Sequence, residues 1–353
     1  MKITTIAGQE LDGDLADAWA GLQRANCDIA SAYFHPEFTR CAAGVKPNVE
    51  IAIIEDGGKI VAFFPFERVS PSIGGPVGGM LSDYHGLASA GAVDLDPLDL
   101  LRACKLIAWD FSHLPISQSS LAGGAHSLTA SPQIDLGEGY AVYARAKQTS
   151  GSGLIDRAAY LGRRLEREVG PVRYVVHDIA PSLLDQVLAW KSAQYGRSGE
   201  RDIFRLGWTR ALLQAICETQ TAGFAGVLSA LYAGDRLIAG HFGMRSQSAW
   251  HYWFPSYDPA FSKYSPGLIL ILKMAESAAG LGVRIIDLGA GTSQHKARLA
   301  TGSVMLAAGS IELPTWRSAR RRVARNIAAF VRDSPLEAPA RAILRRWRAP
   351  PGE

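Results

Sequence analysis

The sequence predicts an α/β (α+β) fold of two tandem domains, each a mixed, mostly antiparallel sheet flanked by helices. Three observations carry this expectation. At 353 residues the chain is longer than the roughly 250–300 residues over which one core keeps growing. Its second half alternates strand-like and helix-like periodicities in the order β-α-α-β-β-β-α-β-α-β. The first half repeats nearly the same order, so a duplicated unit is the economical reading.

In the second half, the β-branched run Val172 to His177 reads as a strand. Helices follow at about Ser182 to Tyr195 and Trp208 to Thr221, on the stripes Leu184, Val187, Leu188 and Leu212, Leu213, Ile216. Val227 to Tyr232, Arg236 to Met244 and Ala249 to Phe254 are separated by short turns and read as an antiparallel meander. Ser265 is the expected N-cap of the next helix, Pro266 its first residue and Gly280 its end. Val283 to Leu288 is a strand, Gln294 to Ala300 a short helix and Val304 to Leu313 the last strand.

The first half opens with a strand at Lys2 to Ile6 and helices at Leu15 to Arg24 and Pro36 to Ala43. Val49 to Glu55 and Lys59 to Val69 flank the turn Asp56-Gly57-Gly58, and Met80 to Leu87 is expected as a third strand. A helix is predicted from Asp96-Pro97 to Phe111, with strands at Leu114 to Leu121 and Gln133 to Leu136. Gln148 to Gly153 is the expected hinge, and Asp156 to Val169 a charged helix beyond it. The expected units are residues 1–150, 151–315 and a basic helical tail, 316–353.

Composition narrows the function classes. An apolar fraction of 48% with 20% charged residues is that of a folded globular protein. Cys27, Cys41, Cys104 and Cys217 form no C-x-x-C pair, which argues against a zinc ribbon, a redox dithiol or a disulfide framework and predicts buried, reduced thiols. No metal is expected. The apolar run Gly267 to Leu272 stops at Lys273, far short of the roughly 20 residues that span a bilayer. With Asp12 and Asp14 following so soon after the start, cytoplasmic residence is the expectation. Net charge is +4, yet residues 317–353 hold ten arginines against Asp333, Glu337 and Glu353, so the tail carries +7 and the rest −3. Such a distribution does not describe a general nucleic-acid binder. The stripe Val323, Ile327, Phe330, Val331 beside Arg320, Arg321, Arg322 and Arg325 predicts a helix that packs on the domain, an anionic membrane surface being the rival partner.

Particular stretches resemble a known family. They are Phe34-His35-Pro36-Glu37-Phe38, the Gly58 to Phe66 strand, Asp83-Tyr84-His85-Gly86, Tyr252 to Pro255, Tyr264-Ser265-Pro266-Gly267-Leu268, and Asp287-Leu288-Gly289 followed by His295-Lys296. In order and spacing they resemble the GNAT (GCN5-related N-acetyltransferase) superfamily, in particular its tandem FemABX-like and CelD-like group associated with cellulose or exopolysaccharide synthesis. The resemblance implies acyl transfer, with acetyl-CoA or another acyl-CoA as co-substrate held by the second half and a sugar or amino-sugar acceptor met by the first. It implies cofactor contacts at Phe254, Ser265, Pro266, Gly267, Leu268 and Lys296, and acceptor contacts at Tyr84, His85, Tyr252 and Tyr257. The sequence departs from the family at two places. The diphosphate loop Lys263 to Leu268 has one glycine where the pattern Q/R-x-x-G-x-G/A has more, and His295 stands where relatives carry a Tyr before the Lys.

The residues bear on the same chemistry directly. Acyl transfer from a thioester needs a deprotonated nucleophile, a polarised carbonyl and a proton for the departing thiolate, but no covalent enzyme nucleophile, and no G-x-S-x-G elbow is present. Ser265-Pro266-Gly267 would set a helix N-terminus where a diphosphate can sit; the first-half counterpart begins among Asp94, Asp96 and Asp99, whose charge repels one. His251 is the candidate general base, against a packing role among Trp250, Tyr252 and Trp253. Asp287, at a strand's C-terminal end, is a site candidate against a loop cap. His295 and Lys296 could meet phosphate or the leaving group, against a solvated helix start.

Two other motifs are set aside. Gly74 to Gly79 lacks the Lys-Ser/Thr ending of a P-loop and reads as a flexible loop. Ile286 to Thr292 imitates the first motif of an S-adenosylmethionine methyltransferase, but it lies too near the end of the chain to open a doubly wound sheet. An aminoacyl-tRNA donor, with Arg157, Arg163, Arg164 and Arg167 on its phosphates, and a non-catalytic envelope scaffold are the alternative functions; nucleic acid is otherwise not an expected partner.

Overall fold

The computed structural model describes residues 1–180 and 182–323. The first half runs β1 (Lys2–Ala7), α1 (Gly13–Arg24), α2 (Pro36–Val45), β2 (Val49–Asp56), β3 (Lys59–Ser70), β4 (Ile73–Gly75), β5 (Ala88–Ser89), α3 (Pro97–Ala103), β6 (Ala108–Pro115), α4 (Ser119–Ala122), β7 (Ala125–Asp135) and α5 (Tyr140–Thr149). The second half runs α6 (Leu154–Glu168), β8 (Val172–Val175), α7 (Leu183–Ser198), α8 (Gly207–Glu218), β9 (Phe224–Ala233), β10 (Arg236–Ser246), β11 (Ala249–Tyr257), α9 (Pro266–Ser277), β12 (Ile285–Asp287), α10 (Gln294–Leu299) and β13 (Gly302–Glu312).

Both halves contribute to one mostly antiparallel sheet, in the order β1-β2-β3-β4-β6-β13-β7-β12-β11-β10-β9-β8, with β5 pairing β3 alongside. The order is a near palindrome about β13 and β7. Each half lends its last long strand to the other: β13 pairs β6 over Leu306↔Pro115 to Glu312↔Ala108, and β7 pairs β12 over Asp135↔Ile285 to Gln133↔Asp287. The sequence boundary near residue 150 lies between α5 and α6, which pack on each other.

Helices on the two halves meet in one apolar core. Trp19, Phe34 and Phe38 of the first half share it with Leu188, Leu212 and Phe242 of the second. Cys41 Sγ of α2 lies 3.4 Å from Thr219 Oγ1, just past α8. Burying such side chains contributes about 1.5–3 kcal/mol each, so the junction between the halves is itself a hydrophobic interior.

Most predicted elements are present, and the exceptions have local causes. Met80 to Leu87 is not a strand: Gly78, Gly79 and Gly86 take positive φ, which bends the chain through a turn at Gly79–Leu81 and an irregular loop to β5. The third strand is instead β4, which takes in the start of the glycine run expected to be flexible; a Cβ on Gly74 would come within 2.8 Å of Leu106 Cδ1. The helix predicted as far as Phe111 stops at Ala103. Lys105 turns at φ 55°, and the alternation that buries Trp109 and Phe111 belongs to β6. The segments expected as strands at Leu114 to Leu121 and Gln133 to Leu136 fall on the end of β6 with α4, and on the end of β7. Among the thiols Cys27 is exposed, contrary to expectation, and all four are free.

In the tail, residues 316–323 are helical. Arg321 bonds Asp110 at 2.7 Å and Arg322 approaches Glu312 at 3.6 Å, which holds this stretch to β6 and β13. The rest of the predicted tail stripe, from Ile327 on, lies outside the described residues. Among the described residues no helix is long and apolar enough to cross a membrane.

Candidate functional site

The site follows from where two parallel strands part. β11 and β12 pair only over Ala249↔Ile285, Trp250↔Ile286 and His251↔Asp287. β12 then ends while β11 continues to Tyr257, and the gap opens toward the N-terminus of α9. In the first half β4 and β6 likewise pair over only two residues, Ile73↔Ala108 and Gly74↔Trp109, but their gap is sealed. The His85 N–H donates to His113 O at 3.3 Å, and His85 Nε2 accepts from the Ser112 and His113 N–H groups at 2.9 Å each. Burial, then His113, push the His85 imidazole well below its ordinary pKa, so it stays a neutral acceptor. At α3 the Asp96 carboxylate caps Leu98 N. The first half therefore spends its helix start and its splay internally.

In the second half the gap is a cavity of about 560 Å³ between α6, α7, β11, α9 and α10. Trp253, Leu268 and Leu288 form apolar walls, and Arg157, Lys191, Lys296 and Arg298 supply four cations with no carboxylate among the lining residues. Lys191 Nζ donates to Gln194 Oε1 at 3.3 Å and lies over the Tyr195 ring. Burial first, and the neighbouring Lys296, lower its pKa. Lys296 Nζ donates to Gly289 O at 3.0 Å and Ala290 O at 2.9 Å, which ties the loop after β12 to α10.

The helix start differs from expectation in detail. Ser265 sits at φ 49° and makes no side-chain cap; its carbonyl accepts from both Leu268 N and Ile269 N. Of the free first-turn donors, the Leu268 N–H is thus consumed and Pro266 has none, so the cavity's capacity for negative charge rests largely on side chains. Ser265, Gly267 and Leu268 line it, with Tyr252, Tyr257, His295 and Lys296. Pro266 is buried at the first helical position. Phe254 is not among the lining residues: it packs edge-on against Phe204 in the core. Burial and then Arg298 lower the pKa of His295, leaving it neutral. Lys191, Arg157 and Arg298 were not singled out as cavity residues by the sequence, because nothing local places α6, α7 and α10 around one opening.

Beside the cavity lies a buried polar cluster built from both halves. His251 Nε2 is 2.9 Å from Asp83 Oδ2 and its Nδ1 is 3.4 Å from Asp287 Oδ1, the latter without hydrogen-bond alignment. Asp287 Oδ1 accepts from Ser131 Oγ at 2.9 Å and Gly289 N at 2.8 Å; its Oδ2 accepts from Tyr84 Oη at 2.5 Å and Gln133 Nε2 at 2.9 Å. Burial alone would lower the pKa of His251, but the two adjacent carboxylates, Asp287 and Asp83, outweigh it and raise the value to about 9. For Asp287 burial works upward and is outweighed by His251, Tyr84 and Gln133, giving about 2. The imidazole is a cation clamped between two carboxylates. Tyr33 and Trp253 close around it edge-on, at ring distances of 5.1 and 6.3 Å. Of the predicted acceptor residues, Tyr84 joins this cluster and His85 faces away into the first-half seal. Asp83 had only its place in the Asp83-Tyr84-His85-Gly86 stretch to mark it. Among the described residues no group of three or more His, Cys, Asp or Glu could hold a metal ion.

Comparisons with known proteins agree with this architecture. Residues 157–297 match the family model of the acetyltransferase (GNAT) domain. Among solved structures the chain is similar to FemX, with TM-score 0.59 and 12% identity, covering 92% of this chain and 100% of that one. It is also similar to a conserved protein of unknown function from Bacteroides thetaiotaomicron VPI-5482, with TM-score 0.52 and 11% identity over 83% and 96% of the two chains. At these identities the likeness is one of fold: a GNAT-like mixed α/β sheet flanked by helices. No curated protein matches the sequence significantly.

Proposed function

We propose that this chain is an acyl-CoA-dependent acyltransferase whose donor occupies the second-half cavity. The observation that carries the reading is the cavity itself, a pocket of about 560 Å³ with Arg157, Lys191, Lys296 and Arg298 on its walls and no carboxylate among them. Such a volume is ordinary for a small-molecule site, and four cations unrelieved by lining acids suit a diphosphate-bearing ligand. Trp253, Leu268 and Leu288 suit an uncharged acyl-pantetheine arm. When bound, the thioester supplies the activated acyl group; the chain's residues hold it and bring the acceptor to it. The first half, its own splay sealed by His85, contributes Asp83 and Tyr84 to the acceptor side. An amino-sugar or sugar acceptor in surface-polysaccharide synthesis rests on the CelD-like resemblance, and cytoplasmic residence on the sequence alone.

An aminoacyl-tRNA donor is the second reading, and the arginines of α6 are what favour it. Arg164 bonds Glu168 at 2.7 Å and Arg167 lies 3.8 Å from the same carboxylate, so two of those four cations are already paired, which favours the smaller donor. Incubation with a panel of acyl-CoAs, then native mass spectrometry, tests the reading: a retained stoichiometric CoA is expected. Retention of none, together with loss of label from charged tRNA, would transfer the cavity to the second donor; neither signal would leave a scaffold.

A further inference from the structure

We infer that Asp83, not His251, takes the proton from the acyl acceptor; this rests on the thioester-donor reading above. Geometry eliminates the other members of the cluster. His251 is 2% exposed and turns Nε2 to Asp83 and Nδ1 to Asp287, so neither nitrogen has a lone pair aimed at the cavity. Asp287 is 2% exposed and its two oxygens already accept from Ser131, Gly289, Tyr84 and Gln133. Tyr84 has its hydroxyl committed to Asp287 and is buried. Tyr33 donates to Leu81 O at 2.9 Å. The Asp83 side chain is 25% exposed and makes its bond to His251 through Oδ2; among the described residues no donor reaches Oδ1.

Asp83 is not itself among the residues that line the cavity; it lies against Gly289, on the loop after β12 that Lys296 ties to α10. A Cβ placed on Gly289 would lie 3.4 Å from Asp83 Oδ2, 3.7 Å from Lys296 Nζ and 3.8 Å from His251 Cε1, so the carboxylate stands beside a cavity lysine. Trp253, another lining residue, packs on His251. The charges facing Asp83 are the His251 imidazolium and the Lys296 ammonium, with Asp287 balancing them from behind. Together these are two cations and two anions, an electroneutral setting that suits an uncharged hydroxyl or free-base amine.

The step closes chemically. As the acceptor O or N bonds to the thioester carbonyl carbon, its proton passes to Asp83 Oδ1. The C–S bond then breaks, and the proton returns from the carboxylic acid to the thiolate. His251 is a positioning residue here, holding Oδ2 and leaving Oδ1 without a protein donor among the described residues. The cycle also supplies the leaving-group proton that neutral His295 does not.

The test compares wild type with Asp83→Asn, whose amide oxygen can still accept from His251. CoA affinity by calorimetry is expected to stay within about twofold, showing an intact fold and donor site. Thiol release from acetyl-CoA, with glucosamine or water as acceptor, is expected to fall at least about 100-fold in kcat, with KM for acetyl-CoA within about threefold and partial recovery in Asp83→Glu. An Asp83→Asn protein keeping more than a third of wild-type kcat overturns the inference. A separate arm needs no donor: ¹⁵N-histidine NMR of the wild-type protein should show His251 protonated on both nitrogens at pH 7.5, and a neutral ring there would overturn the elimination. Wild type that neither binds CoA nor releases thiol would overturn the donor reading, while the NMR arm still decides between His251 and Asp83.

Discussion

Tyr84 donates its hydroxyl to Asp287 Oδ2 at 2.5 Å, joining side chains 203 residues apart. The tyrosine sits on the loop that seals the first half, and the aspartate ends the strand from which the second-half cavity opens. Burial, then the adjacent Asp287 charge, raise the phenol's pKa far above its ordinary value, so it remains a donor at any working pH.

Removing that donor should cost stability. In Tyr84→Phe, Asp287 Oδ2 keeps only Gln133, and a buried carboxylate that loses a charge-assisted bond costs about 1.5–3 kcal/mol. Urea unfolding should show the loss as a lower midpoint with an unchanged slope. An unaltered midpoint would mean that the bond contributes nothing to holding the halves together.

The clamped imidazole sets a pH signature. Its folded pKa of about 9 exceeds the unfolded 6.5, so its contribution is complete below about 6.5 and drains away as pH rises through 9, by at most about 1.4 kcal/mol per pH unit. Asp287 has the opposite sign: its folded value of about 2 lies below 3.8, so its contribution is complete above about 4 and is lost as pH falls through 2. Stability from this pair should plateau between about pH 4 and 6.5. The alkaline decline should flatten in His251→Gln, measured by denaturant midpoints from pH 6 to 9.5; equal slopes in both proteins would show that His251 is not a buried cation.

Gly267→Glu should separate folding from donor binding. A Cβ there meets only Tyr257 Cδ1, at 3.9 Å, and a carboxylate in a first helical turn is tolerated by the helix dipole. Melting temperature should hold. CoA affinity should fall at least about tenfold, or roughly 1.4 kcal/mol, because the new charge enters the cavity whose cations would hold the diphosphate. Pro97→Glu, at the capped first-half counterpart, should leave affinity unchanged. Calorimetry on both variants checks this, and an unaffected Gly267→Glu protein would remove the second-half donor site.

Lys191→Ala removes a cation whose neighbours are Gln194 and the Tyr195 ring. Losing one charge-assisted contact should raise the CoA dissociation constant about 5- to 30-fold with little effect on unfolding. The wild type should also lose affinity with added salt more steeply than the variant. Matching salt slopes would place Lys191 off the donor's phosphates.

Much of this molecule is legible along the chain. The periodicities of Leu184, Val187 and Leu188, the turn Ala233-Gly234-Asp235 and Pro266 at a helix start each report local geometry, because helix and strand periods and proline's fixed φ act within a few residues. They were enough for the element order of the second half, the tandem arrangement of elements, and the place where α9 opens. They failed where neighbours overruled local preference, as at the start of the glycine run, which joined β4 against Leu106. The functional geometry lies beyond local reach altogether. Whether His251 is a free base or a clamped cation depends on Asp83 and Asp287, brought to its two sides by a sheet in which β7 and β13 cross between halves. Strand order is decided by which buried faces fit together over the whole chain, and a pKa by the charges that fit brings within a few ångströms. The sequence alone determined the residues and most of the elements carrying them; only the tertiary structure decided which charges meet, because strands far apart in the chain bring them together.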